Sequence, residues 1–206
     1  MINIRYANSN DVDQVTQIHR HIFKNLFMTN MGSLFIKNYY KLILKYSGGY
    51  LLIIENNNNE IYGFLCAVKN PSNFYKLLRK HVFILALSAL INIALKPSLI
   101  IQSIYNFFKT KNKKLRPSSD ILEENTFEIT SIGVAINHQK KGCSKKLIHY
   151  LLKTVKEKVS GKQLVYLYCD LNNDRAHNLY QSIGFKEGFR FNQYNHRQMI
   201  CYIMEQ

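Results

Sequence analysis

An apolar run, Ile129 to Ile136, leads into Gln139-Lys140-Lys141-Gly142-Cys143-Ser144, and a long amphipathic segment, Cys143 to Val159, follows. A strand, a glycine-containing turn and a helix start, in that order, tie a sheet edge to a helix N-terminus. In the helical segment Leu147, Leu151, Val155 and Val159 lie four apart, with Ile148 and Leu152 beside them, which gives one buried face. The first turn of such a helix has free N–H groups and a partial positive charge, and both suit a phosphate. Lys140, Lys141, Lys145 and Lys146 add to that field. Taken alone, the hexapeptide reads rather as an ordinary strand-to-helix turn with a solvated basic face, and its surroundings change that reading.

The rest of the chain alternates strands and helices. Residues 2–6 read as a strand, and Asp11 is placed to cap a helix with Val12, Val15, Ile18 and Ile22 on its apolar face. A loop around Phe27–Gly32 leads to a helix over roughly residues 33–46, ended by Gly48-Gly49. Tyr50–Glu55 and Ile61–Val68 read as a hairpin turning at Asn56–Asn59. Residues 71–124 form an insert. Val82–Leu95 is apolar nearly all round, Lys96-Pro97 stops it, Ser98–Phe108 reads as a second helix, and the basic run Lys109–Arg116 follows. The apolar part is shorter than the roughly 20 residues needed to span a bilayer. After the strand over residues 126–136 and the helix over 143–159 come a strand at Leu164–Cys169 and a helix at Asn173–Ile183 closed by Gly184. Two final strands, Phe185–Arg190 and Met199–Met204, complete the chain.

At 206 residues the chain reads as one domain. Its net charge of +15 favours anionic partners: a nucleotide-bearing cofactor, a phosphorylated substrate, nucleic acid or an anionic membrane surface. Cys66, Cys143, Cys169 and Cys201 are widely spaced, so neither a metal site nor a disulfide framework is expected. The N-terminus lacks a signal-peptide core, and a reducing, cytoplasmic location is the expectation.

Strand, basic glycine turn, helix, strand, then Asn173-x-x-Ala176-x-x-x-Tyr180-x-x-x-Gly184-Phe185: this order resembles the GNAT superfamily of acyl-CoA-dependent N-acetyltransferases. The family's central signature, an apolar strand followed by Gln/Arg-x-x-Gly-x-Gly/Ala, is matched by Val134 to Ser144, with Ser144 standing where the family prefers glycine or alanine. The resemblance covers nearly all of the chain except the insert. It implies a single α/β (α+β) domain over residues 1–206. Its mixed, mostly antiparallel sheet would have about seven strands, splayed at the cofactor site and flanked by helices.

The resemblance further implies acetyl-CoA as cosubstrate. Backbone groups of Gln139, Lys140, Lys141, Gly142, Cys143, Ser144 and Lys145 would hold the pyrophosphate, Val134 and Ile136 the pantetheine arm, and Asn173 and Ala176 its other side. The Val134 N–H would face the acetyl carbonyl. Tyr180 would be the general acid at the sulfur, which suits a phenol because it stays protonated at neutral pH. Glu128, eleven residues before Gln139, stands where family members carry a strand glutamate as general base; Glu123 and Glu124 are fallbacks. Packing of Tyr180 and a wet strand edge for Glu128 are the plain structural alternatives. Cys143 beside lysines admits an acyl-enzyme, but its place at the pyrophosphate end favours direct transfer. His138 reads as a surface residue, and His19 or His21 is within possible reach of an acceptor.

Acceptor pockets in the family are built from segments corresponding to Phe23–Gly32 and Phe191–Arg197, where Arg190, Asn192, Tyr194, His196 and Arg197 are polar or basic. The insert together with Phe35-Ile-Lys-Asn-Tyr39-Tyr40 resembles a bacterial subgroup linked to surface-polysaccharide synthesis. The acceptor this implies is an anionic small molecule, an amino sugar on a nucleotide or lipid phosphate. Protein, peptide, polyamine or antibiotic amines are the alternatives, and a basic nucleic-acid or membrane-surface module is the non-enzyme one. No nucleic-acid partner is expected, because no aromatic follows Phe108 within the basic run. Peripheral contact with an anionic membrane is left open, as is the choice between monomer and homodimer.

Overall fold

The computed structural model describes residues 2–109, 117, 120–193 and 196–206. Strands β1 (Ile2–Tyr6), β2 (Gly49–Asn56), β3 (Ile61–Lys69), β4 (Thr126–Val134), β5 (Leu164–Asp170), β6 (Lys186–Asn192) and β7 (Gln198–Glu205) form one sheet in the order β1-β2-β3-β4-β5-β7-β6. Every neighbouring pair is antiparallel except β4 and β5.

Side chains alternate between the faces of a strand, and β2 and β3 show how this divides the core. Leu52, Ile54, Leu65 and Ala67 face one layer, with α7 (Cys143–Lys158) and α8 (Asp174–Ile183). Leu51, Ile53, Phe64, Cys66 and Val68 face the other, with α1 (Val12–Ile22) and α3 (Ser33–Lys45). On α7, Leu147, Ile148, Leu151 and Val155 are completely buried. Each such side chain contributes about 1.5–3 kcal/mol by leaving water. The four-residue spacing seen in the sequence is therefore the seam that fixes α7 to the sheet.

Asp11 plays a different part from the one expected. It begins α1, but its side chain makes no cap bond there. Asn8 and Asp11 instead form a reciprocal capping box around a 3-10 turn at Ser9–Asp11. Arg5 then bridges Asp11 and Glu55, at 2.7 and 2.8 Å, tying β1 and β2 to the start of α1. Burial pushes the Asp11 carboxyl up, and the Arg5 guanidinium and Asn8 N–H more than offset this, holding it below its ordinary range.

A short helix, α2 (Phe27–Asn30), occupies the expected loop. Among its described residues the insert holds three helices, α4 (Pro71–Lys80), α5 (Val82–Leu95) and α6 (Ser98–Lys109). The axes of α4 and α5 differ by 65°. Helices α5 and α6 dock through Leu85, Ala89 and Leu99, which cluster with Met31 and Phe35. Most of the basic run, residues 110–116, lies outside the described residues. No single helix among them is long and apolar enough to cross a membrane.

Candidate active site

The site is an opening between β4 and β5. Their parallel ladder holds only from Thr126↔Leu164 to Ile129↔Leu167. Beyond it β5 continues beside β7 to Asp170, while β4 stays with β3. A register shift against Cys66 and Ala67 leaves Thr130 as the extra residue of β4, and a bulge of this kind bends the bulged strand. The Thr130 hydroxyl donates to the Cys66 carbonyl and accepts from Tyr39, both at 3.3 Å.

The backbone of β4 beyond the bulge is left facing that opening. Ala135 donates its N–H to the Tyr62 carbonyl on β3. Gly63↔Val134 is therefore a non-hydrogen-bonded pair, and the N–H and C=O of Val134 point towards the gap. Gln139 donates its amide to the Val134 carbonyl at 3.2 Å, which leaves the Val134 N–H available. The strand ends at Val134, two residues earlier than expected, and the chain enters a 3-10 turn at Ile136–His138. There His138 stacks on Tyr62 with ring centroids 3.6 Å apart. Ile136 is 62% exposed, and neither it nor Lys141 lines the cavity.

The glycine turn has the geometry of an anion cradle. Lys140 and Gly142 adopt left-handed conformations, φ 63° and 77°, and Gly142 is the N-cap of α7. A Cβ at Gly142 would meet nothing within 4 Å, so the cradle opens onto free space. Ser144 stands in the first turn of α7 and lines this space with Gln139, Lys140, Cys143 and Lys145. Arg175, in the first turn of α8, donates to the Gln139 amide oxygen at 2.9 Å. It adds to Lys140 and Lys145 a cation at this end that the sequence did not single out. Asn173 caps α8, its side-chain oxygen accepting the Ala176 N–H at 3.2 Å.

Together these groups line a cavity of about 940 Å³ that runs from the glycine turn past Val134, Ala176 and Tyr180 to Glu128. Its glycine-turn end opens onto free space. Tyr180 is 7% exposed and packs edge-on to Phe185. Burial, then the neighbouring Cys169 and Tyr202, push its hydroxyl well above the ordinary phenol range, so it stays protonated.

Glu128 is 5% exposed and sits at the other end. Tyr75 and Tyr166 donate their hydroxyls to its two carboxylate oxygens, at 2.8 and 2.9 Å. Burial first, then the nearby Glu128 charge, hold both phenols well above their ordinary range, so they remain donors. Tyr75 belongs to α4, so the insert supplies part of this end of the site. Glu123 and Glu124 sit in a 3-10 turn outside the cavity. Glu123 lines a separate space of about 840 Å³, which shares only Tyr166 with the first.

The acceptor end is walled by Phe23, Leu26, Phe27 and Met28 as expected, and also by Phe35, Tyr39 and Leu78. Arg197 lines it and is paired with Asp170. Tyr194 lies outside the described residues. His21 is exposed and engages its own helix at the Gln17 carbonyl. His19 is buried against the Tyr40 hydroxyl at 2.7 Å, and Tyr40 reaches Ser131 on the cavity wall at 3.3 Å.

Residues 104–185 match the family model described as Acetyltransferase (GNAT) family. The matched span contains the splayed strand, the cradle and the Tyr180 helix. Over that span the chain matches the GNAT acetyltransferases. The search of curated proteins finds no match. Among solved structures, the chain is similar to NAA60 of Arabidopsis thaliana in complex with acetyl-CoA, at 16% identity and TM-score 0.64, covering 100% of this chain and 98% of that one. It is similar to a ribosomal-protein-alanine N-acetyltransferase from Brucella melitensis, at 14% identity and TM-score 0.63, covering 99% of each chain. A variant of the spermidine N-acetyltransferase SpeG from Vibrio cholerae is similar at 13% identity and TM-score 0.61, covering 99% and 93%. Acetyl-CoA is the cosubstrate typical of acetyltransferases of this type.

Proposed function

We propose that this enzyme acetylates the primary amine of an anionic small molecule, an amino sugar carried on a nucleotide or lipid phosphate. The observation that carries this reading is the charge of the cavity wall. Lys24 and Arg197 line its acceptor end with Glu128 and Asp170, Asp170 being paired with Arg197, while Lys140, Lys145 and Arg175 line the glycine-turn end. A polycation such as spermidine, on which an enzyme of the same fold acts, would meet the cations Lys24 and Arg197 there. Such a reaction fits the cytoplasm, where acetyl-CoA is supplied and the four buried cysteines stay reduced.

In this reading the acceptor amine approaches from the Phe23–Met28 side, and Glu128 takes its proton, directly or through a water. The amine nitrogen bonds to the acetyl carbon while the Val134 N–H donates to the carbonyl oxygen as negative charge builds there. The carbon–sulfur bond breaks, and Tyr180 supplies the proton that the departing thiolate needs. Cys143 takes no covalent part, because it lies in the cradle at the far end from Glu128.

The test is a thiol-release assay on nucleotide-linked amino sugars, free amino sugars, polyamines and peptides with free N-termini. The nucleotide-linked sugars should give the highest kcat/KM, by tenfold or more, on the order of one to two kcal/mol of added phosphate recognition. A preference for spermidine or for peptides would overturn the acceptor reading.

A further inference from the structure

We propose that the α5–α6 pair of the insert is a membrane-surface element that seats this enzyme on an anionic lipid bilayer. Helix α5 carries no charged residue from Val82 to Leu95 and, Ser88 and Asn92 aside, is apolar all round. A helix of that composition ordinarily has protein on every side. Here only Leu85 and Ala89 are buried in it, while Phe83, Ile91 and Leu95 are each 77% exposed and Leu87 is 58% exposed. Ile101 and Ile104 of α6 add to the same apolar surface, at 60% and 52%. A contiguous patch of this kind is rare on a soluble monomer and marks an interaction surface.

The charge around the patch says what covers it. Between Glu60 and Asp120 the chain has no acidic residue, while Lys76, Lys80 and Lys96 bracket α4 and α5. An apolar face rimmed by unopposed cations matches acyl chains below anionic headgroups. A second copy of the chain fits poorly, since a two-fold contact would bring two cationic rims of a +15 molecule together. The 14 residues of α5 reach about 21 Å, against a hydrocarbon core of about 30 Å, so the helix lies in the interface and does not cross it.

The pair also abuts the active site. The cluster that docks α5 and α6 includes Phe27, Met28, Phe35 and Leu78, and the same four side chains wall the acceptor end of the cavity. Seating on lipid thus brings the acceptor end close to the bilayer surface.

The test is co-sedimentation of the full chain with vesicles of phosphatidylcholine, with and without phosphatidylglycerol. Binding to the mixed vesicles should exceed binding to neutral ones by roughly tenfold or more at low salt. The triple variant Phe83→Ser, Ile91→Ser and Leu95→Ser should lose at least about tenfold in binding while acetyl-CoA turnover on a soluble acceptor persists. The chain has no tryptophan, so Phe83→Trp gives a single reporter that needs no loss of apolar surface. Its emission should shift to the blue on adding anionic vesicles and be quenched by brominated lipid. An unchanged spectrum, or equal vesicle binding by the triple-serine protein, overturns the proposal. So does a wild-type dimer in sedimentation velocity that the triple substitution converts to monomer, which would assign the face to a second copy.

Discussion

Tyr180 and Glu128 sit at opposite ends of one chemical step, and each can be tested by removing a single atom or charge. Tyr180→Phe keeps the ring against Phe185 and removes only the proton donor. Its kcat should fall by about 10²-fold or more, with acetyl-CoA affinity changed by less than about twofold, read by steady-state kinetics and calorimetry. Undiminished kcat would make Tyr180 a packing residue. Glu128→Gln keeps the bonds from Tyr75 and Tyr166 in part and removes the base. Its loss should be greatest at low pH, where the acceptor arrives protonated, and a flat ratio to wild type across the pH profile would remove Glu128 from proton transfer. His19 has a consequence for stability rather than turnover. Burial holds its pKa down to about 4, below its ordinary 6.5. The unfolded chain binds a proton in that window that the folded chain refuses. Stability is therefore full above pH 6.5 and declines as the pH falls towards 4, by about 3 kcal/mol. In thermal melts His19→Gln should show a flatter dependence across that window.

At the scale of elements, the parts with strong periodicity were legible and the parts made by distant contacts were not. The four-residue spacing from Leu147 to Val155 located α7, and the alternation along β2 and β3 located the hairpin, because those patterns are set by local geometry. Helix α4 escaped notice since its sequence is polar. Its signal was Asn70-Pro71: the Asn70 side chain accepts the Asn73 N–H and Pro71 fills the first turn. Glu128 could be placed by its spacing from Gln139, but its donors Tyr75 and Tyr166 could not, being 53 and 38 residues away. Arg175 was missed for the same reason, 36 residues from Gln139. The cradle itself makes a separate prediction. Gly142→Ala forces a side chain into a left-handed conformation, costing about 1–2 kcal/mol, and puts a methyl group where the pyrophosphate would lie. The variant should melt slightly lower and bind acetyl-CoA at least about tenfold more weakly; unchanged binding would move the phosphate site elsewhere.

At the scale of the whole molecule, a ligand lying between β4 and β5 binds only the folded chain. At a hundred times its dissociation constant acetyl-CoA should add about 2.7 kcal/mol of stability, visible as a raised melting temperature. The absence of any shift would contradict the cavity as its site. The two halves of the sheet are joined by a parallel seam only four residue pairs long. Such a seam behaves as a hinge line: without cosubstrate, the amides of Ile132 and Val134 should exchange with deuterium quickly, and protease should nick the flanking loops. An extended pantetheine arm laid along β4 would close the seam like a lath nailed across two boards. The lifetime of the enzyme in the cell would then track the supply of the very thioester it consumes.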